Sequence, residues 1–173
     1  MVSVSTEQEA SYLRRALELA ERGRGHVSPN PMVGAVIVRD GEVIGEGFHA
    51  ELGDLHAERA AIEDSRGRGS DPAGSTIYLT LEPCAHASER GPTCADLIPA
   101  AGIVRVVAAL KDPDRRTAGQ GLARLRDAGI EVATGVGADA ARASLAGDPF
   151  RFARRKRDLA VDRQRELERD ARP

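Results

Sequence analysis

At 173 residues the chain has room for one domain with a real core, since roughly 70% of the unfolded surface can be buried at this size, and none for a second full-sized catalytic unit. Aromatic side chains make up 3% and the formal net charge is −2, which excludes a base-stacking platform for single strands and a general attraction to nucleic acid or anionic lipid. No run approaches the ~20 apolar residues of a membrane span, and Met1–Glu9 lacks the basic-then-apolar layout of a signal peptide, so the expected location is the cytoplasm.

Thr6-Glu7-Gln8-Glu9 reads as a capping box, and Leu13, Ala16, Leu17 and Ala20 follow at helical spacing, which predicts a first helix to about Gly23. Gly23–Pro31, punctuated by glycine and proline, reads as an ordered loop. Met32–Val38 is a short Val-rich run and hence a buried strand. Asp40-Gly41 signals a hairpin, and Val43–Phe48 pairs back antiparallel. A helix is expected from about His56 through Ile62, a surface loop over Gly67–Gly74, and a third strand over Thr76–Leu81, stopped by Pro83. Helical pattern resumes near Cys94 and ends at Gly102, with Pro99 expected to kink or shorten it. Ile103–Leu110 reads as a strand buried on both faces, Gly121–Ala128 as a helix stopped by Gly129, Ile130–Ala133 as a fifth strand and Ala138–Leu145 as a last helix. A helix between the fourth and fifth strands implies a parallel pair joined by a right-handed crossover. The expected fold is therefore three-layered α/β/α, a mixed five-stranded sheet with helices on both faces. Composition then shifts: Arg151–Pro173 carries nine basic and five acidic residues, leaving this tail at +4 and residues 1–150 at −6. The organisation expected is one domain over 1–150 and a charged tail over 151–173, helical or disordered, with a basic arm for RNA as the other reading of that tail.

Chemistry concentrates in His56-Ala57-Glu58, in Leu81-Glu82-Pro83-Cys84 and at Cys94. In a reducing compartment two cysteines point to metal binding or catalysis before a disulfide. One imidazole and two thiolates are a borderline-soft ligand set that suits Zn²⁺, one ion per chain, and three protein ligands leave a fourth position for water. Glu58 lies two residues from His56, about 200° round a helix, and so is a poor second ligand on the same face. At a helix start facing a pocket, its carboxylate is placed to take a proton from that water and hand it on. Water attack with a proton shuttle is the chemistry of hydrolytic deamination.

His-x-Glu followed by Pro-Cys and a second Cys is the signature of the zinc nucleobase deaminases, with the thiols commonly two residues apart; here Ala85–Thr93 intervene. The chain resembles the deaminase domain of the riboflavin-biosynthesis deaminase/reductase family, within the cytidine-deaminase-like fold, over nearly all of Leu13 to Phe150. The resemblance is carried by Ala16–Ala20, Ser28–Val38, Gly45–His49, His56–Glu58, Thr80–Cys84, Cys94–Asp96, Asp112-Pro113 and Ala118–Gly121. It implies zinc on His56, Cys84 and Cys94, Glu58 as proton shuttle, and loss of the 2-amino group of a diamino-ribosylamino-pyrimidinone 5′-phosphate as ammonia. It also implies pyrimidine contacts at Asn30, His49 and His86, with Ala57 in the binding wall, a phosphate contact at Arg90, and a homodimer or larger assembly. The family often carries a reductase after the deaminase, so a separately encoded reductase is an expected partner. Two features depart from the family: the segment between the cysteines is one residue longer and reordered, with Glu89 beside Arg90, and Arg59 after the His-Ala-Glu triplet is atypical.

Plainer readings stand beside these. A closed structural zinc site would use His86 as fourth ligand in a non-enzymatic binding module, although such a site needs no neighbouring carboxylate. Asn30 between two prolines suits turn chemistry, His49 a surface histidine and Arg90 a solvated loop cation. Among enzymes, the rival is a deaminase of another free, nucleoside or specialised-metabolite base.

Overall fold

The structure, a computed structural model, describes residues 4–86, 91–113 and 118–145. Its elements run α1 (Thr6–Glu21), β1 (Gly34–Arg39), β2 (Glu42–Phe48), α2 (Ala57–Gly67), β3 (Thr76–Leu79), α3 (Cys94–Ala100), β4 (Arg105–Ala108), α4 (Gln120–Asp127), β5 (Glu131–Thr134) and α5 (Ala138–Leu145). The strands form one sheet in the order β2-β1-β3-β4-β5. β1 is antiparallel to both β2 and β3, while β3–β4 and β4–β5 are parallel. This is the mixed sheet expected from the sequence. The hairpin β1–β2 turns through Asp40 and Gly41, whose φ values of 53° and 85° are those of a type I′ turn.

Alternation along the strands divides the core in two. Ala35, Ile37, Ile77, Leu79, Val106 and Ala108 face α2, α3 and α4. Val36, Val38, Tyr78 and Val107 face α1 and α5, meeting Tyr12, Leu13, Ala16, Leu19 and Ala141. Three glycines set how tightly the helices lie on the sheet. A Cβ on Gly34 would fall 1.9 Å from the Ala16 carbonyl oxygen of α1, and one on Gly47 would fall 2.3 Å from the Ala61 nitrogen and 2.4 Å from the Ala57 carbonyl of α2. Gly45 meets Ala61 in the same way. α2 therefore lies backbone-to-backbone on β2, and its N-terminus has little freedom to move.

Several boundaries shift. The first helix is capped by Ser5, whose Oγ accepts from the Gln8 N–H at 3.3 Å, one residue before the box centred on Thr6. The Gln8 side chain reaches the Tyr12 hydroxyl (3.0 Å) rather than back to the cap. The second helix continues past Ile62 to Gly67, where the expected loop begins, and Ser65 is buried with the apolar stripe of Ala57, Ala61 and Ile62. β1 begins at Gly34 rather than Met32, and β3 and β4 are four-residue strands inside longer apolar runs whose ends leave the ladder. α3 is cut to seven residues around Pro99, with Gly102 at φ 76° after its last turn. Phe150 and the tail over 151–173 lie outside the described residues. No helix among the described residues is long and apolar enough to cross a membrane.

Candidate metal centre and active site

The carboxyl end of β3 and the N-termini of α2 and α3 meet at one point. His56 is the N-cap residue of α2, yet its imidazole makes no capping bond. It turns instead to two sulfurs, its Nδ1 lying 3.5 Å from Cys84 Sγ and 3.4 Å from Cys94 Sγ. Cys94 opens α3 behind its own cap. Thr93 Oγ1 accepts from the Asp96 N–H at 3.2 Å while the hydroxyl donates to Asp96 Oδ2 at 2.7 Å, and Arg124 Nη1 holds that carboxylate at 3.1 Å. The Cys94 N–H donates to Cys84 Sγ at 3.4 Å and the Ala95 N–H to the Cys84 carbonyl at 3.1 Å, so the loop bearing Cys84 is tied to the helix bearing Cys94.

The three ligand atoms lie within 4.8 Å of one another. A tetrahedral zinc with ordinary Zn–S and Zn–N distances needs S···N edges of about 3.6 Å, close to those above. The donor set and its spacing fit one zinc ion per chain held by His56, Cys84 and Cys94. As the two thiols stand, they compete for one proton. The hydrogen bond from Cys94, with His56 beside it, holds Cys84 well below the usual thiol range, and the same interaction together with burial pushes Cys94 up. A divalent cation in their midst would favour thiolate at both.

Glu58, in the first turn of α2, is 3% exposed. Burial, and then the charge on Cys84, push its carboxyl above the usual carboxylate range. It lines, with the three ligand residues, a pocket of about 530 Å³, a size suited to a small metabolite. Asn30, His49, Ala57 and His86 line the same pocket, so the structure brings together every predicted site residue that it describes; Arg90 lies outside the described residues.

His49 is buried, with both ring nitrogens engaged. Its Nδ1 lies 2.9 Å from the Leu55 carbonyl, which can only accept, so the proton sits on Nδ1. Nε2 is then an acceptor, and it takes a hydrogen bond from the Asn30 amide at 3.3 Å. That contact orients Asn30: its NH₂ is fixed toward His49, and its Oδ1 and second N–H remain for other partners. The His49 ring also meets His56 edge-on, centroids 5.5 Å apart.

Glu82 stood in the quoted Glu-Pro-Cys triplet with no role of its own. Its side chain is the clamp of the site. The carboxylate, 7% exposed, accepts four backbone N–H groups: Asp112 (3.0 Å) and Gly119 (2.9 Å) on Oε2, Gly121 (2.9 Å) and Leu122 (3.3 Å) on Oε1. It thus satisfies the first turn of α4 and joins the Cys84 loop to the segment after β4. Gly121 completes the fit, since a Cβ there would lie 2.0 Å from the Pro83 carbonyl oxygen. The only sequence signal for this was Ala118-Gly119-Gln120-Gly121, a glycine pair at a helix start. Thr93 with Asp96 three residues on was a second legible signal, a cap placing Cys94.

Comparison with known proteins bears on the same elements. The model of the cytidine and deoxycytidylate deaminase zinc-binding region matches residues 6–110. The Escherichia coli riboflavin biosynthesis protein RibD is 50% identical over 129 residues, 75% of this chain and 34% of the relative. The chain thus spans about a third of the length of such curated relatives. Acinetobacter baumannii RibD superposes with TM-score 0.79 at 40% identity, covering 86% of this chain and 41% of that one. A Thermotoga maritima diaminohydroxyphosphoribosylaminopyrimidine deaminase/5-amino-6-(5-phosphoribosylamino)uracil reductase gives TM-score 0.77 at 44% identity, covering 82% and 40%. With a His56, Cys84 and Cys94 cluster that could hold a metal ion beyond the carboxyl end of β3 and at the starts of α2 and α3, the chain belongs to the cytidine and deoxycytidylate deaminase zinc-binding family.

Proposed function

We propose that this chain is a zinc-dependent hydrolytic deaminase acting on the pyrimidine named for the Thermotoga maritima relative, diaminohydroxyphosphoribosylaminopyrimidine, and releasing ammonia. The observation that carries this reading is the buried Glu58 carboxylate sharing one pocket with a three-ligand cluster. A closed structural site would have no use for that acid.

When bound by His56, Cys84 and Cys94, zinc lowers the pKa of a coordinated water toward ~7. Glu58 would take one proton from the attacking water and give it to a ring nitrogen as the water oxygen bonds to the adjacent ring carbon. It would then carry a second proton, from the hydroxyl so added, to the exocyclic amine as the C–N bond breaks and ammonia leaves, a task that suits its raised pKa. Asn30, held by His49, offers an acceptor and a donor to the ring edge. Ala57 lines the wall without bulk, and His86 stands at the exposed side of the pocket. Arg90 is proposed as a phosphate contact. Residues 1–150 are taken as the deaminase domain, with a homo-oligomer as its assembly and a reductase as the next enzyme to act on the product, the second activity in the Thermotoga maritima name.

The test is ammonia release by the zinc-loaded protein. Glu58→Ala should lower the rate by about 10²-fold or more while zinc content stays at one per chain. A variant that turns over at the wild-type rate would remove the assigned shuttle, and a wild-type protein that releases no ammonia from this pyrimidine would remove the substrate.

A further inference from the structure

Arg59 is the feature of the site that local physics does not explain. It occupies the third position of α2, where the unpaired N–H groups give the helix end a partial positive charge, and a cation there is unfavourable. The same helix carries Arg66 in its last turn, where a cation is favoured. Nothing offsets the misplacement: Arg59 has no hydrogen bond or ion pair with any described residue, unlike Arg15, Arg24, Arg68, Arg105, Arg124 and Arg142. It is half-buried and lines the pocket, where it is the sole arginine or lysine among the described residues of the wall. A Cβ on Gly91 would lie 3.5 Å from its Nη2, so the guanidinium faces the segment leading into Cys94. One carboxylate of the wall, Glu82, is already saturated by four backbone donors and does not compete for it.

A residue that breaks a local rule, half-buried at a pocket and without a partner among the described residues, is placed as a residue that meets a ligand would be. We infer that Arg59 binds an anionic substituent of the substrate, a phosphate monoester carried on the sugar of the pyrimidine, and so makes the site selective for phosphorylated over dephosphorylated substrate. Guanidinium suits this task because its planar fork can give two parallel hydrogen bonds to phosphate oxygens. The inference rests on the deaminase reading for the identity of the ring, but not for the anion itself.

Two measurements on the zinc-loaded protein separate the questions. In the first, kcat/KM is compared for the ribosylamino-pyrimidine 5′-phosphate and its dephosphorylated form. Arg59→Ala should reduce the ratio of the two by ~10-fold or more, the scale of a charged hydrogen bond, through KM more than kcat, and Arg59→Lys should restore part of it. Thermal unfolding should leave Arg59→Ala as stable as wild type or more so, because a cation has left the wrong end of a helix. The second uses ribose 5-phosphate alone, its affinity read by calorimetry in wild type and Arg59→Ala, with a tenfold or greater loss expected. Equal kinetic losses on both substrates, or no loss on either, overturn the inference. So does a wild-type protein that binds ribose 5-phosphate no better than ribose. If wild type deaminates neither substrate, the proposed reaction falls, while loss of ribose 5-phosphate binding in the variant still upholds the anion site.

Discussion

Asn30 shows how a single amide acquires direction. The Leu55 carbonyl fixes the proton of His49 on Nδ1, which leaves Nε2 to accept, and only the NH₂ of Asn30 can give to it. Asn30→Asp keeps the shape and removes the donor, so a carboxylate oxygen would face the ring lone pair. The expected result is a kcat/KM lower by about 10- to 100-fold, from losing one oriented hydrogen bond and introducing a repulsion. His49→Phe keeps the ring but frees Asn30, and a loss of similar size is expected, mostly in KM. Steady-state ammonia release measures both, and values within twofold of wild type would show that the pair orients nothing. Asn30 and His49 were both legible as candidates in the sequence. The relation between them was not, because it depends on a carbonyl six residues past His49 that no motif marks.

At the scale of elements, the site is a meeting of helix ends, and its precision comes from close backbone contacts. Glu82→Gln is nearly isosteric, but its NH₂ would oppose two of the four N–H groups now bound by the carboxylate. Leaving such buried donors unpaired costs about 1–3 kcal/mol each before relaxation, so a loss of roughly 2 kcal/mol or more is expected in urea unfolding. Lower zinc occupancy should accompany it, because the same loop carries Cys84. An unchanged unfolding midpoint together with full zinc content would show that the clamp is dispensable. Gly47→Ala acts on the other support: the added methyl meets the backbone of α2 at 2.3–2.4 Å, and a helix that retreats takes His56 and Glu58 with it. Strong destabilisation with loss of ammonia release is expected, and a variant that folds and turns over normally would mean that α2 shifts freely. Strand and helix order, the hairpin turn, the parallel crossover and the zinc triplet could all be read from periodicity and motif. The boundaries moved where a neighbour outside the local window decides: Ser5 rather than Thr6 caps α1, and Ser65 extends α2. A glycine inside a strand, such as Gly34, is a general mark of close backbone approach, but only the fold shows that α1 is what approaches.

Across the whole molecule, ion pairs bridge the layers. Arg15 of α1 grips Glu46 of β2 with two hydrogen bonds, 2.6 and 3.1 Å, while the Glu46 N–H donates to Asp64 of α2 at 2.8 Å and Arg68 pairs with Asp64 at 2.8 Å. Both faces of the sheet are thereby linked across its β2 edge. On the opposite flank Arg105 joins Glu9 of α1 (2.6 Å) to Glu131 of β5 (2.8 Å). The Arg15 guanidinium, through its hydrogen bond and then its charge, holds the Glu46 carboxyl below its ordinary value of 4.5. A carboxyl with a depressed folded-state pKa adds stability above its unfolded-state value. The unfolded chain binds the proton first as pH falls, so that stability is lost on acidification below about 5. Arg15 is 39% exposed, which limits the pair to about 1 kcal/mol or less after screening by solvent. Glu46→Gln should therefore be less stable than wild type at pH 7 by up to that amount, and the gap should close as pH is lowered toward 3. Zinc release in acid affects both chains alike and drops out of the difference. Urea unfolding at pH 7, 5 and 3.5 measures it. A gap that stays constant with pH would show that Glu46 titrates the same in folded and unfolded chains, and that its two short bonds to Arg15 add no net electrostatic stability to the α1–β2 junction.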